Sequence, residues 1–341
     1  MTDMINELRV LCAIDGVSGS EDKVREYILK RIKDRAESVT VDALGNIIAF
    51  VKGKRSPKNK IMISAHMDEV GFIITHINSD GSLDIAPVGG IDEKVVLGRR
   101  IRFGDVCAVI GGKAVHNLSA DERKKTVSFD DMSVDIGASS KDEAEKLVSL
   151  GETGTFCDEF ISFGSDRLCS KAIDDRAGCA IMLRMIDEGV ECDTCFAFVV
   201  QEEIGLRGSG CAAFAVQPDI ALVLETTTAA DIPSSSEDMR VCELGKGPVV
   251  TFMDRQTIYD KELYKLAFDT AALNGIPCQT KTRIAGGNDA GAVHTSRSGV
   301  RACAISVPCR YLHSASCVAD ENDIENTYKL AKQLLNRIYD L

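Results

Sequence analysis

The sequence predicts an α/β protein: a mixed, largely parallel sheet flanked by helices and interrupted by an inserted β-rich domain. Three observations carry that prediction. Four short, nearly continuous apolar runs, IMISAH (61–66), TCFAFVVQEE (194–203), DIALVLE (219–225) and RACAISVP (301–308), have the texture of strands buried on both faces. Helical stretches lie between them, as the crossovers of a parallel sheet require. Between about 70 and 164 the texture changes to strand-like pieces broken by Asp-Gly, Gly-Gly and Arg-Phe-Gly turns. Runs of the first type lie on both sides of that stretch, so it reads as a domain inserted at a loop tip. The expected partition is 1–68 plus 165–341 for the α/β part and 69–164 for the insert.

Each element has a local reason. Met4, Ile5, Leu8, Leu11 and Cys12 recur at helical spacing up to Gly16. Ser18 and Glu21 have capping-box spacing ahead of a second amphipathic helix carrying Val24, Tyr27, Ile28 and Ile32. The segment VTVDALGNIIAFVKG alternates around a Leu-Gly-Asn turn and predicts a hairpin. Within the insert, GFIITHI, SLDIAPV, RIRFGDVCAVIGG and TVSFDDMSVDIG predict strands, and KDEAEKLVSL predicts one helix. In KAIDDRAGCAIMLRMIDEG, Asp174 and Asp175 open a helix whose apolar stripe is Cys179, Met182, Leu183 and Ile186. KELYKLAFDTAALNG and ENDIENTYKLAKQLLNRIYDL predict the closing helices.

Composition narrows the function. At 341 residues, 45% hydrophobic and 27% charged, the chain is an ordinary globular protein of about two domains. Forty basic against 52 acidic residues give a net charge of −12, which argues against nucleic acid as a partner. No apolar run approaches the length of a membrane span. Thirteen cysteines, an odd number scattered through apolar stretches without a signal-peptide pattern, predict free thiols in a reducing, cytoplasmic setting. The Cys192/Cys195 pair has no second pair to complete a zinc knuckle.

The chemistry collects where ligands bind in open α/β sheets, beyond the carboxyl ends of strands. His66 and Asp68 follow the first run, Glu202 and Glu203 the second, Glu225 the third, and Arg310, Tyr311 and His313 the fourth. Singly, Asp174 reads as a helix cap and the glutamates as a solvated turn. Convergence of two histidines with several carboxylates would produce strong repulsion without cations. Oxygen and imidazole donors without thiolate suit zinc, cobalt or manganese, and a two-metal site needs a bridging carboxylate.

AHMDEVGF (65–72), KAIDDRAG (171–178), QEEIGLRGSG (201–210), LETTTAADIP (224–233), AGGNDAGAV (285–293) and RYLHS (310–314) resemble motifs of the glutamyl aminopeptidase family of co-catalytic metallopeptidases. The resemblance covers essentially the whole chain, in order. It implies a zinc-peptidase-like sheet, a PDZ-like inserted dimerisation domain, and self-association to dimers and a tetrahedral dodecamer. It further implies two divalent metal ions per subunit, zinc or cobalt, with manganese as an alternative. Asp174 would bridge them; His66 and Glu225 would complete one, Glu203 and His313 the other. Glu202 would be the general acid/base, Asp68 would orient His66, and Arg310, Tyr311 and Asp289 are candidates for substrate contact. The implied reaction is removal of N-terminal residues from short peptides. Its rivals are a dinuclear carboxypeptidase or deacylase, which use similar motifs, an endoglucanase, a label some family members carry, and a binding protein that kept only the fold. Position 225 departs from the family pattern, being Glu where many members have Asp.

Overall fold

The computed structural model describes residues 3–341. Helix α1 (Asp3–Ala13) buries Met4, Ile5, Leu8, Leu11 and Cys12, and α2 (Asp22–Ile32) buries Val24, Ile28 and Ile32, as their spacing dictates. The capping box expected before α2 does not form: neither Ser18 nor Glu21 caps that helix, because both side chains turn to the strand ends instead. Strands β1 (Ser38–Val41) and β2 (Ile47–Val51) make the expected hairpin, with Val41 opposite Ile47. β3 (Ile61–His66) follows.

The insert is a six-stranded antiparallel barrel. It comprises β4 (Gly71–Ile77), β5 (Leu83–Val88), β6 (Arg100–Phe103), β7 (Val106–Gly112), β8 (Met132–Asp135) and β9 (Thr153–Phe156), closed in the order β4-β5-β8-β7-β6-β9. It has its own core, in which Phe72, Ile101, Phe103 and Phe156 are essentially inaccessible. Closure leaves no open sheet edge. The helix expected over KDEAEKLVSL is confined to α3 (Lys141–Ala144). Beyond it, helical turns continue as far as Val148, with Glu145 N on the Lys141 carbonyl and Val148 N on that of Ala144, before Gly151 and Glu152 pair with Ile74 of β4.

The main unit resumes with β10 (Ile161–Phe163), β11 (Arg167–Ser170), α4 (Ile173–Glu188), β12 (Thr194–Val199), α5 (Arg207–Val216), β13 (Ile220–Thr228), β14 (Val249–Val250), α6 (Lys261–Leu273), β15 (Gln279–Thr280), α7 (Ala290–Val293), β16 (Arg301–Arg310), β17 (Cys317–Asp320) and α8 (Glu321–Ile338). Among the described residues its sheet has eleven strands, in the order β1-β2-β12-β3-β13-β16-β17-β11-β10, with β14 on β16 and β15 on β14. β10, within the 69–164 span expected for the insert, pairs here rather than in the barrel.

The four apolar runs are β12, β3, β13 and β16, side by side and mutually parallel. Register aligns their carboxyl ends: Val199 lies opposite His66, and Glu225 opposite Ser306. No described helix is long and apolar enough to cross a membrane.

Candidate metal centre and active site

β3 delivers His66 with both ring nitrogens engaged. Its Nδ1 lies 3.1 Å from the Asp68 carbonyl oxygen and 3.5 Å from Asp68 Oδ1. Its Nε2 faces Asp174 Oδ1 at 3.2 Å and Glu225 Oε1 at 3.4 Å. Across the site, His313 Nδ1 lies 2.8 Å from the carbonyl oxygen of Gly90, a residue of the barrel. Its Nε2 faces Glu203 Oε2 at 3.2 Å and Asp174 Oδ2 at 3.6 Å. Each imidazole thus has one nitrogen against a backbone carbonyl, which fixes the tautomer and leaves Nε2 for the centre.

Asp174 reaches both histidines because it stands outside the helix it was expected to open. Ala172 has φ +57°, and Asp174 and Asp175 have non-helical angles joined by a cis peptide. Asp175 takes the capping role, its Oδ1 accepting from Gly178 N at 3.0 Å. The carboxylate of Asp174 is released from any cap.

Backbone strain gathers at the same place. Gln201, Tyr311 and His313 also have φ between +57° and +58°, a region L-residues occupy at a cost of about 1–2 kcal/mol each. Gln201 adjoins Glu202, His313 carries the imidazole itself, and Tyr311 lies two residues before it.

Two overlapping groups, His66–Asp174–Glu225 and Asp174–Glu203–His313, each bring one donor atom per residue within 4.8 Å of one another. They share Asp174, one oxygen turned to each. A third group, His66–Glu202–Glu203, meets the same criterion. The donors are hard oxygens and imidazole, and Glu225 Oε2 and both oxygens of Asp289 are buried without a partner. Orphaned acceptors of this kind are costly unless a cation or proton meets them, so the residues fit divalent ions.

The electrostatics agree. Burial pushes Glu203 and Glu225 up to about 8, assisted in each by the charge of Asp174. Burial, with Glu225 and Asp289 nearby, also raises Glu202 well above the carboxylate range. Burial opposes protonation of His313, but Asp174 and Glu203 outweigh it and carry the imidazole up to about 10. Asp174 goes the other way: burial would raise it, yet hydrogen bonds from His313 and His66 hold it far below the usual range.

A cavity of about 180 Å³ opens over the centre. Glu202, Glu203, Glu225, Asp174 and His313 form one side, and Thr226, Thr227, Thr228 and Lys281 line it further out. Lys281 Nζ bonds the Ala285 carbonyl oxygen, and nothing in QTKTR announces it. Of the substrate-contact candidates, Arg310 is paired with Asp231 at 2.5 Å, Tyr311 is exposed, and Asp289 is buried behind the wall formed by Asn288. Gly90 was not foreseen either, since a backbone carbonyl leaves no trace in sequence.

A family model for the M42 glutamyl aminopeptidases matches residues 45–330. The chain belongs to the M42 glutamyl aminopeptidase family. It is therefore an aminopeptidase, a hydrolase of a metallopeptidase family. It is 35% identical over 334 residues to the lysyl aminopeptidase of Pyrococcus furiosus, covering 95% of this chain and 94% of that one. Among solved structures it resembles a TET aminopeptidase from the marine sediment archaeon Thaumarchaeota archaeon SCGC AB-539-E09. There the TM-score is 0.94 at 34% identity, over 99% of this chain and 97% of that one. It also resembles the Pyrococcus horikoshii TET1 peptidase, described as assembling into a tetrahedron or a large octahedral shell. That match has TM-score 0.86 at 34% identity, over 98% and 99% of the two chains. The family's architecture, an α/β unit with an antiparallel barrel insert, is the one described above.

Proposed function

We propose that this chain removes single residues from the free N-termini of short peptides, using two divalent ions, zinc or cobalt, with manganese as the alternative. The observation that carries the reading is the division of Asp174, with Oδ1 toward His66 and Oδ2 toward His313. His66, Glu225 and Asp174 would hold one ion, and His313, Glu203 and Asp174 the other. When bound, such a pair polarises a scissile carbonyl, makes water a stronger acid and anchors a free α-amine.

The chain's own residues do the rest. Glu202 lines the cavity and takes the proton of the attacking water, then returns it to the departing amine. Its raised affinity for a proton suits the second half of that task. Asp68, fully buried, orients His66 and anchors the backbone of Glu202 and Glu203. The cavity is below the 300–1,000 Å³ typical of small-molecule pockets, which favours one terminal residue over a long segment. Thirteen cysteines, all free, support a reducing cytoplasmic setting. Likeness to TET assemblies supports oligomers up to a dodecamer.

The test is Glu202→Gln, assayed on size-fractionated protein with unmodified and N-acetylated peptides. Activity should fall by roughly 10²–10⁴-fold with metal content unchanged, the acetylated peptide should resist the wild type, and the active fraction should be far larger than a 36.8 kDa subunit. A fully active variant would remove Glu202 from the mechanism. Cleavage of the blocked peptide would point to a carboxypeptidase or deacylase, and activity only at subunit mass would remove the assembly.

A further inference from the structure

β12 ends at Val199, and its sheet ladder ends with it. The next four amides are all held by side chains. Val200 N donates to Asn46 Oδ1 (3.0 Å), Gln201 N to Glu21 Oε1 (3.1 Å), Glu202 N to Asp68 Oδ1 (3.0 Å) and Glu203 N to Asp68 Oδ2 (3.1 Å). The holders are themselves held. Ser18 Oγ donates to Asp68 Oδ2 at 2.6 Å, Gly19 N donates to Glu21 Oε1 at 2.8 Å, and Asn46 Nδ2 donates to Asp42 Oδ2 at 2.6 Å.

This segment would not keep its shape unaided. Gln201 sits at φ +57°, immediately before Glu202, a conformation that persists in a non-glycine residue only where surroundings over-determine it. Ser18, Glu21 and Asp68 are 6%, 2% and 0% exposed, so no water competes for the bonds. The segment 18–21 is thus read wrongly as a helix cap: its polar atoms serve a turn some 180 residues away in sequence.

We propose that Ser18 and Glu21 are positioning residues of the active site, which fix the turn at 200–203 and thereby the placement of Glu202 and Glu203. The proposal rests on Glu202 acting in proton transfer and Glu203 in metal binding. Displacing a catalytic group by 1 Å can cost about 10²-fold in rate, which is the leverage these hydrogen bonds have.

Four variants test it: Ser18→Ala and Glu21→Ala, which delete the partner, and Ser18→Thr and Glu21→Gln, which keep a hydroxyl and a carbonyl acceptor. The deletions should lower kcat roughly ten- to hundred-fold with KM unchanged and the protein still folded at the assay temperature, its melting temperature lowered by a few degrees, and weaken zinc binding to chelator-treated protein by roughly tenfold. The conservative pair should recover most of both. Ser18→Ala added to Glu202→Gln, assayed at saturating zinc, should lower kcat by clearly less than Ser18→Ala does alone, because part of its effect passes through Glu202 and the rest through Glu203. Wild-type kcat and zinc affinity in both deletions would overturn the proposal. So would a kcat loss that vanishes when the variants are assayed well below their melting temperatures, or full additivity with Glu202→Gln. Should Glu202→Gln prove fully active, the acid/base reading fails separately, and the zinc measurement still decides the positioning role through Glu203.

Discussion

Asp174 must face two imidazoles at once, and in the metal-free site protons do the work of cations. With Glu203 and Glu225 raised to about 8 and His313 to about 10, these groups hold protons at neutral pH while Asp174 stays ionised. A divalent ion must displace those protons, so metal binding releases them and tightens as pH rises. The stability linkage has the same sign. A carboxyl raised on folding from 4.5 to about 8 favours the folded state below the lower value, and that contribution is lost as pH climbs through the window. The chelated protein loses this contribution over the interval in which the metal-loaded protein gains affinity. The melting-temperature gap between zinc-loaded and chelated protein should therefore widen from about pH 5 to about pH 8. A gap that is constant or shrinks over that range would show that the carboxyls are not the ligands.

At the level of elements, what was legible in the sequence was whatever burial writes into composition. β3, β12, β13 and β16 are buried on both faces, so their apolar runs and the polar residues at their ends could be read directly. Turns were less legible, because one residue type serves several local ends. Asp174 reads as a cap since aspartate caps helices well, but that service falls to Asp175. Ser18 and Glu21 have the spacing of a capping box and do another job. The barrel's contribution was hidden for a different reason: it comes from a turn that glycine permits. Gly89 has φ +85°, and a Cβ there would stand 2.7 Å from Val70 Cγ1 and 3.3 Å from Glu203 Cβ. Gly89→Ala should therefore move the Gly90 carbonyl away from His313 Nδ1 and weaken zinc binding roughly tenfold, with the barrel still folded. Titration of the chelated variant with zinc checks this, and wild-type affinity would show that the insert is not needed at the site.

Over the whole molecule, the insert can support His313 only if barrel and sheet are held in one geometry. Beside the apolar contact that Ala315 makes with the barrel core, the joint contains a buried ion pair. Glu69, at the entry to the barrel, accepts from Lys171 Nζ at 2.7 and 2.9 Å, from Thr155 Oγ1 of β9 at 2.9 Å and from Gly16 N at 3.1 Å. Arg102 of β6 adds a link to Asp15 at 2.8 Å. Lys171 and Glu69 are both 2% exposed, and the fully buried Arg176 stands 3.6 Å from the same carboxylate, so the joint is a buried charge cluster whose members depend on one another in a low-dielectric interior. Lys171→Met should then destabilise the protein by up to about 3–5 kcal/mol, the remaining ion pair with Arg176 at 3.6 Å offsetting part of the loss. Replacing both partners, as Lys171→Met with Glu69→Leu, should cost more still, since it leaves the buried guanidinium of Arg176 without its carboxylate and the Gly16 amide and Thr155 hydroxyl without their acceptor. Denaturant unfolding of the two variants beside the wild type distinguishes the cases. A single or double variant as stable as the wild type would mean that the joint is held by its apolar surroundings and not by the ion pair.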